Sequence, residues 1–348
     1  CALPISRVPT MVSRIIMRLI EKMADDRYQS ADGVLHDLQI CLSAHRSLGN
    51  IPDFLLSEGD APTHFQLPQK LYGRNEEMAA ILSTCASASS GQASLLLVLG
   101  PPGVGKSALV REVYKPLTEQ RGNFIVGKFD QYQRDIPFSA WTQAFQELCN
   151  LLLQEDDAVL AQWREHILQS IGPLGRVLTD VIPSIELIIG PQPEIPQLDG
   201  DKAQNRLNYV FGNFIKAICQ PEHPLVVFID DWQWADAGSL ALLRFILSGG
   251  AEHLLLIGAY RDSEVDSTHP LHAALADVAR SGCNIESLKL DNLRPEHVAQ
   301  MVNDTLGEHA ECEGLADLLY EKTHGNAFFL TQLLADLHES GAVYFKRN

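Results

Sequence analysis

No apolar run in the 348-residue chain approaches 18 residues, so no transmembrane helix is expected. Positive charge is scarce: 27 Lys plus Arg stand against 44 Asp plus Glu, a formal net charge of −17. That balance argues against a broad electrostatic footprint for nucleic acid or an acidic membrane and leaves room only for a local basic patch. Neither a nucleic acid nor a membrane is therefore an expected partner. The seven cysteines are scattered and odd in number, with no C-x-x-C pair and no metal-ligand spacing. They read as reduced thiols of a cytoplasmic protein. The first residue is Cys1, not Met, so the chain is expected to be a piece of a longer protein. Hydrophobic residues, by contrast, are plentiful at 46 %, enough for large cores, and the length suggests two or three domains.

The most informative stretch is Gly100-Pro101-Pro102-Gly103-Val104-Gly105-Lys106-Ser107, followed by Ala108. It follows the apolar run 95–99 and opens a helical pattern with Leu109, Val113 and Leu117 on one face. A strand, a glycine-rich turn, Lys-Ser and a helix give the context of a P-loop. Gly103 and Gly105 let the backbone curl so that successive N–H groups face a phosphate. The helix beginning near Lys106 adds its positive end. Lys106 would reach the β- and γ-phosphates, and the Ser107 hydroxyl would sit on Mg²⁺. The alternative is a glycine-rich turn that binds nothing.

Before this stretch, Val12, Ile15, Ile16, Leu19 and Ile20 recur at helical spacing. Ser30 is a candidate N-cap for a second helix with Val34, Leu35, Leu38, Cys41 and Leu42 on its apolar face. From about Ser43 to Gln69 the pattern dissolves into a linker. Then come Gly73-Arg74-Asn75-Glu76-Glu77 and a helix to about Ala86.

After it, Pro116 should end or kink the P-loop helix. Residues 124–129 read as a second strand, with Asp130-Gln131 at its C-terminal end, where ligands sit in open α/β sheets. A helical insertion over 138–219 follows. Phe138, Trp141, Phe145 and Leu148 mark one helix face, and Leu160, Trp163, Ile167 and Ile171 another; both read as core. The run 225–229 is a strand buried on both faces, ending in Asp230-Asp231. Asp230 is placed to hold Mg²⁺ through water, and Asp231 to orient an attacking water; the plain alternative is a solvated turn. Ser239 is a candidate N-cap of the next helix. Residues 254–260 form a fourth strand ending in Arg261, which either reaches a γ-phosphate or pairs with Asp262 or Glu264. A fifth strand spans 285–290. From Arg294 onward the chain reads helical, broken at Thr323-His324-Gly325-Asn326, with Ala327-Phe328-Phe329-Leu330 opening the last helix.

Two resemblances follow from these motifs. Lys22-Met-Ala-Asp-Asp-Arg27-Tyr28-Gln-Ser-Ala with Asp37-Leu38 resembles the last two helices of a protein kinase C-lobe, though Ala24 stands where that family has Pro; an unrelated helical hairpin is the alternative. The chain has no H-R-D, D-F-G or kinase glycine loop, and Arg134-Asp135 lacks the preceding His, so protein kinase activity is not expected of it. Residues 66–345 resemble the AAA-like branch of the STAND NTPases, the AAA-16 signalling ATPase domain. The matching motifs are Leu71-Tyr-Gly-Arg74, the P-loop, Gly127-Lys-Phe-Asp-Gln131, Ile229-Asp-Asp-Trp-Gln-Trp-Ala-Asp236, Gly258-Ala-Tyr-Arg-Asp262 and Lys322-Thr-His-Gly-Asn-Ala-Phe-Phe329. The order looks like the junction of a bacterial hybrid Ser/Thr kinase.

The resemblance implies an α/β P-loop NTPase with a parallel five-stranded sheet flanked by helices, plus a helical lid and a short N-terminal helical segment. The expected divisions are 1–45 (kinase C-lobe remnant), 46–69 (linker), 70–290 (ATPase core) and 291–348 (truncated lid). It implies ATP rather than GTP, Gly73 and Arg74 near adenine and ribose, and Arg261 as a γ-phosphate sensor. Ala327 departs from the family's Pro, which packs near the base. The expected function is a slowly hydrolysing, ATP-driven switch that couples to other domains of its parent and self-associates with nucleotide. A non-hydrolysing scaffold is the alternative, as is a LuxR-type regulator, which would need a helix-turn-helix. A small-molecule P-loop kinase is a minor option.

Overall fold

The computed structural model describes residues 8–21, 27–28, 30–57, 65, 67–68, 70–91, 93–112, 122–132, 136–306 and 314–343. Expectations resting on Lys22 to Asp26, Val113, Pro116, Leu117 and Arg134-Asp135 lie outside the described residues. The chain falls into two compact units, Arg74–Asp291 and Cys1–Gly73 with Asn292–Asn348.

The first unit is built on five strands: β1 (Ser94–Leu99), β2 (Asn123–Lys128), β3 (Leu225–Asp230), β4 (Leu254–Tyr260) and β5 (Asn284–Lys289). They pair in the order β2-β3-β4-β1-β5, all parallel. The expected parallel five-stranded sheet is therefore present. Every residue of β3 and β4 is buried, which is why both read as unbroken apolar runs. At the edge, β5 alternates between exposed and half-buried residues, the source of its weak pattern in the sequence. The register sets Leu99 beside Tyr260 and Lys128 beside Asp230, so the strand ends line up at one edge.

Between β2 and β3 the insertion is helical, with its longest helices at Ser139–Leu152, Asp157–Ile171 and Asp201–Ile218. Trp141, Phe145, Phe211 and Phe214 pack there as an aromatic cluster with ring centroids 5.4–6.4 Å apart. All four are essentially fully buried, so they are core, as their spacing predicts. The helix after β3 spans Ala237–Ser248, and its cap is Asp236, not Ser239. Asp236 Oδ1 accepts the Ser239 N–H at 2.9 Å, which leaves Ser239 inside the first turn.

In the other unit, Val298, Met301, Val302, Leu306, Leu319, Leu330 and Leu334 form one core, joined by Tyr72 and flanked by Phe65 and Leu67. The break at 323–326 has a physical cause. His324 and Gly325 are left-handed, and Asn326 caps the helix Ala327–Glu339 through the Phe329 N–H. A Cβ on Gly325 would lie 2.0 Å from the Leu293 carbonyl oxygen. Phe328 and Phe329 remain more than half exposed, and Leu330 alone of that run enters the core.

A separate small core joins Met11, Ile15 and Cys41 with Ile51, Phe54 and Leu56. Ser30 caps its helix as expected, accepting from Gly33 N at 2.9 Å. That helix runs to Leu48, beyond the expected end at Ser43, and stops at Gly49 in the left-handed conformation. Its expected apolar face is only partly covered: Cys41 is buried, while Leu35, Leu38 and Leu42 are exposed. Among the described residues no helix is long and apolar enough to cross a membrane.

Candidate functional site

β1 delivers the chain into the glycine turn at the C-terminal edge of the sheet. Gly103 and Gly105 have φ of 77° and 102°, a conformation that side chains strain to adopt. Gly100 also has a positive φ, 152°, and is needed for space as well: a Cβ there would sit 2.5 Å from the Leu290 carbonyl oxygen. The helix then starts at Lys106, with Leu109 and Val110 fully buried as its anchor.

The Lys106 ammonium curls back over the loop, donating to the carbonyls of Gly100 (2.8 Å) and Pro101 (3.0 Å). Burial pushes its pKa down, while Asp230 and Asp231 pull the other way. The hydrogen-bond partners a phosphate entering the loop would displace from this cation are neutral carbonyls. Ser107 Oγ donates to Asp230 Oδ2 at 2.6 Å, so the two expected Mg²⁺ ligands are in direct contact. A hydroxyl and a carboxylate are hard oxygen donors of the kind Mg²⁺ takes together with phosphate and water. No larger metal-binding cluster exists among the described residues. The residues therefore fit a phosphate-borne Mg²⁺ and not a self-sufficient protein cage.

Arg74, buried at the start of its helix, spends its guanidinium on the protein. It donates to the carbonyls of Asp291 and Val104 and pairs with Glu77 at 3.1 Å. It thereby ties the P-loop backbone to the end of β5. Gly73 lies in the other unit, where a Cβ would overlap the His297 ring. The structure thus shows an anchoring task for Arg74 and a packing requirement at Gly73.

Beyond β3, Asp231 adopts left-handed φ and ψ of 58° and 43° and is 6 % exposed. Its carboxylate is surrounded. Lys128 Nζ lies 3.0 Å from Oδ2, Gln233 Nε2 donates to Oδ1 at 2.7 Å, and Arg261 Nε stands 3.9 Å from Oδ1. The Asp231 hydrogen bond and charge hold the Lys128 pKa up. Arg261 also pairs with Glu264 at 2.7 Å and lies over the Trp234 ring at 4.9 Å. Of its two expected partners only Glu264 takes it; Asp262 pairs with Lys289 at 3.2 Å.

The sheet edge thus brings together Lys106, Ser107, Asp230, Asp231 and Arg261. Sequence reasoning passed over Lys128 and Gln233. For Lys128 the signal was available, since it is the last residue of β2 and the register sets it beside Asp230. Asp130, singled out in its place, closes a local turn by accepting the Tyr132 N–H at 2.8 Å. The rest of the 230–236 motif divides by task. Trp232 is buried against Phe129 and Trp141, and Asp236 accepts from the Phe138 and Ser239 N–H groups.

The AAA ATPase domain family (AAA_16) matches residues 70–257, more than half of the chain. Hybrid signal transduction histidine kinase G of Dictyostelium discoideum is 28 % identical over 97 % of this chain. Peroxide stress-activated histidine kinase mak3 of Schizosaccharomyces pombe is 24 % identical over 53 % of it, and Histidine protein kinase 1 of Candida albicans 20 % over 68 %. The chain spans only 12 %, 9 % and 11 % of those relatives' lengths. Among solved structures, the Orc1 protein of Aeropyrum pernix in complex with DNA has a TM-score of 0.45 at 14 % identity, covering 81 % of this chain and 64 % of that one. Cdc6p of Pyrobaculum aerophilum has a TM-score of 0.47 at 11 % identity, covering 79 % and 65 %.

Proposed function

The chain belongs to the AAA ATPase domain family, and from that premise we propose that it is an ATP-binding, slowly hydrolysing switch module of a multidomain signalling kinase. The observation that carries this is the set of complementary groups on one sheet edge. Lys106 lies inside the glycine turn, Ser107 touches Asp230, and Asp231 and Arg261 stand 3.9 Å apart on the neighbouring strand ends. In this reading Lys106 and the loop N–H groups hold the β- and γ-phosphates, and Ser107 and Asp230 hold Mg²⁺. Asp231 orients the water, and Arg261 reads the γ-phosphate. When bound, Mg²⁺ would supply neutralisation of phosphate charge. The protein's own contribution is positioning and fixed charge.

The signalling context rests on the histidine kinases it resembles and on the kinase-like N-terminal helices. Whether the parent is a Ser/Thr kinase, a histidine kinase or both is part of the proposal. So are the STAND character and nucleotide-dependent self-association.

The test is a fluorescence titration of the full chain with a labelled ATP. Lys106→Ala should weaken binding at least about 100-fold, since a charge-assisted phosphate contact in a dry loop is lost. Unchanged affinity would reject the site. One observation favours a second reading: Asp231 is already engaged by Lys128, Gln233 and Arg261. A scaffold that binds ATP without turnover would use such an engaged acid. Single-turnover hydrolysis separates the two, because nucleotide preserved for hours would favour the scaffold.

A further inference from the structure

Gln233 is 4 % exposed, and every polar atom of it that bonds does so to a different part of the site. Its Nε2 donates to Asp231 Oδ1 at 2.7 Å, and its Oε1 accepts the backbone N–H of Arg261 at 3.2 Å. The amide orientation is forced by these partners, because a carboxylate only accepts and a backbone N–H only donates. Its own carbonyl lies 3.1 Å from His269 Nε2, and His269 Nδ1 lies 3.2 Å from the Leu271 N–H. That second contact makes Nδ1 the acceptor, so Nε2 carries the proton and donates to Gln233. One residue, its backbone held by the His269 cap of the helix Pro270–Arg280, therefore spans the ends of β3 and β4 with its side chain.

We propose that Gln233 is a positioning residue that couples Asp231 to the β4 end carrying Arg261, so that the acid is aimed only while that strand end is in place. A neutral amide suits this task. Either ionic replacement would alter the charge balance that Lys128 and Arg261 set around Asp231. A hydroxyl on a short side chain would not reach both strand ends. The proposal rests on the ATPase reading above, and it assigns to the 230–236 motif a residue role that neither acid supplies.

The test uses the full chain and separates the two arms of the bridge. Gln233→Glu keeps the acceptor for Arg261 N–H but replaces the donor facing Asp231 with a like charge. Gln233→Met is close in shape and removes both arms. For both, kcat for ATP hydrolysis should fall about 30- to 100-fold, the scale of a misplacement near 1 Å, with ATP affinity within about twofold of the parent. Adding Gln233→Met to Asp231→Asn should change kcat by less than about twofold, because Gln233 acts through Asp231. Full multiplication of the two effects overturns the coupling, as does a wild-type kcat in Gln233→Glu. Loss of folding in both variants, read by tryptophan fluorescence, also overturns it by making the bridge structural. Lys106→Ala is measured beside them. If it binds ATP like the parent, the ATPase reading itself has failed. If it loses ATP while Gln233→Glu turns over normally, only the coupling has failed. A parent chain that binds ATP without hydrolysing it overturns the coupling and leaves the binding site standing.

Discussion

Replacing Gly127 with Ala should damage the nucleotide unit by moving a helix, not by touching ligand. A Cβ at Gly127 would lie 2.0 Å from the Ala140 carbonyl oxygen, 2.9 Å from its carbon and 3.3 Å from the Ala144 Cβ. The first two obstacles are helix backbone, which has no rotamer to escape into. Ordinary contact begins near 3.4 Å, so β2 and the helix Ser139–Leu152 must separate by about 1.4 Å. That helix carries Trp141, Phe145 and Leu148, all essentially buried, into the core. Each such side chain contributes about 2 kcal/mol by burial, and a gap above 1 Å forfeits about half of its contacts. Three of them give a loss of about 3 kcal/mol, at the upper end of ordinary overpacking. All four tryptophans, Trp141, Trp163, Trp232 and Trp234, lie within Arg74–Asp291, so tryptophan fluorescence reports the unfolding of this unit alone. With a urea slope of about 2–3 kcal/mol per molar, the midpoint should fall by about 1–1.5 M. A fall below about 0.3 M would refute the close packing of helix on strand at Gly127.

Asp236→Ala removes a helix cap and the acceptor for the Phe138 N–H together, so about 2–3 kcal/mol should be lost from the same fluorescence transition. Asp236→Asn, which keeps an acceptor oxygen, should lose about half as much. Alkaline pH should also weaken this unit. Burial pushes the Cys85 and Cys219 thiols up to about 12 and Cys149 up to about 11, from an ordinary value of 9.0. The unfolded chain therefore releases these protons first, and the stability, whole below pH 9, is lost as pH rises toward 11–12. At pH 10 each thiol contributes a loss on the order of 1 kcal/mol, a few kcal/mol together. The raised Tyr260 adds in the same direction, while the lowered Lys106 opposes it. Urea midpoints at pH 8 and pH 10, compared with a variant carrying Ser at all three cysteines, measure the effect. Asp231→Asn should leave ATP affinity within about twofold and lower phosphate release, whereas Asp230→Asn should weaken Mg²⁺-dependent binding. Equal effects of the two on affinity would contradict separate tasks for the acids.

What was legible in the sequence is what local physics dictates. β3 and β4 are buried on both faces, which is why they read as unbroken apolar strand runs. The glycine turn demands φ values that few other residues reach, so Gly103 and Gly105 identified it. Less legible were choices settled by packing between distant residues. Asp236 and Ser239 are both good caps, and only the position of the Phe138 loop makes Asp236 the better one. Leu35, Leu38 and Leu42 satisfy helical periodicity yet remain exposed, because periodicity records which face is apolar, not whether anything covers it. Phe328 and Phe329, at the start of the last helix, are likewise apolar and exposed. Gly127 looked like a motif letter until the Ala140 carbonyl supplied its cause. Gln233 carries no signature of its own and Lys128 only its place at the end of β2; they matter because the register and a left-handed Asp231 turn their side chains onto one carboxylate.

The two adjacent acids therefore differ in charge environment although the sequence presents them as a pair. Among the described residues the hydrogen bonds to the Asp230 carboxylate come from neutral donors, the Ser107 hydroxyl and the Asp231 N–H at 2.9 Å, while Lys106 and Lys128 act on it through charge alone. In the proposed reading a divalent cation would meet a carboxylate that no cation touches directly. Asp231 faces the ammonium of Lys128 and the guanidinium of Arg261, so a second cation would find its charge already spent. The Lys128 side chain is 57 % exposed, however, so solvent screens its pairing and the contact contributes about 1 kcal/mol or less. It orients Asp231 more than it stabilises the fold. Position decides the outcome: Asp230 ends the buried strand and faces the P-loop hydroxyl, while Asp231, one residue on, is turned by its left-handed backbone toward the cations. In the proposed reading the metal would lie beside the first acid and the attacking water beside the second.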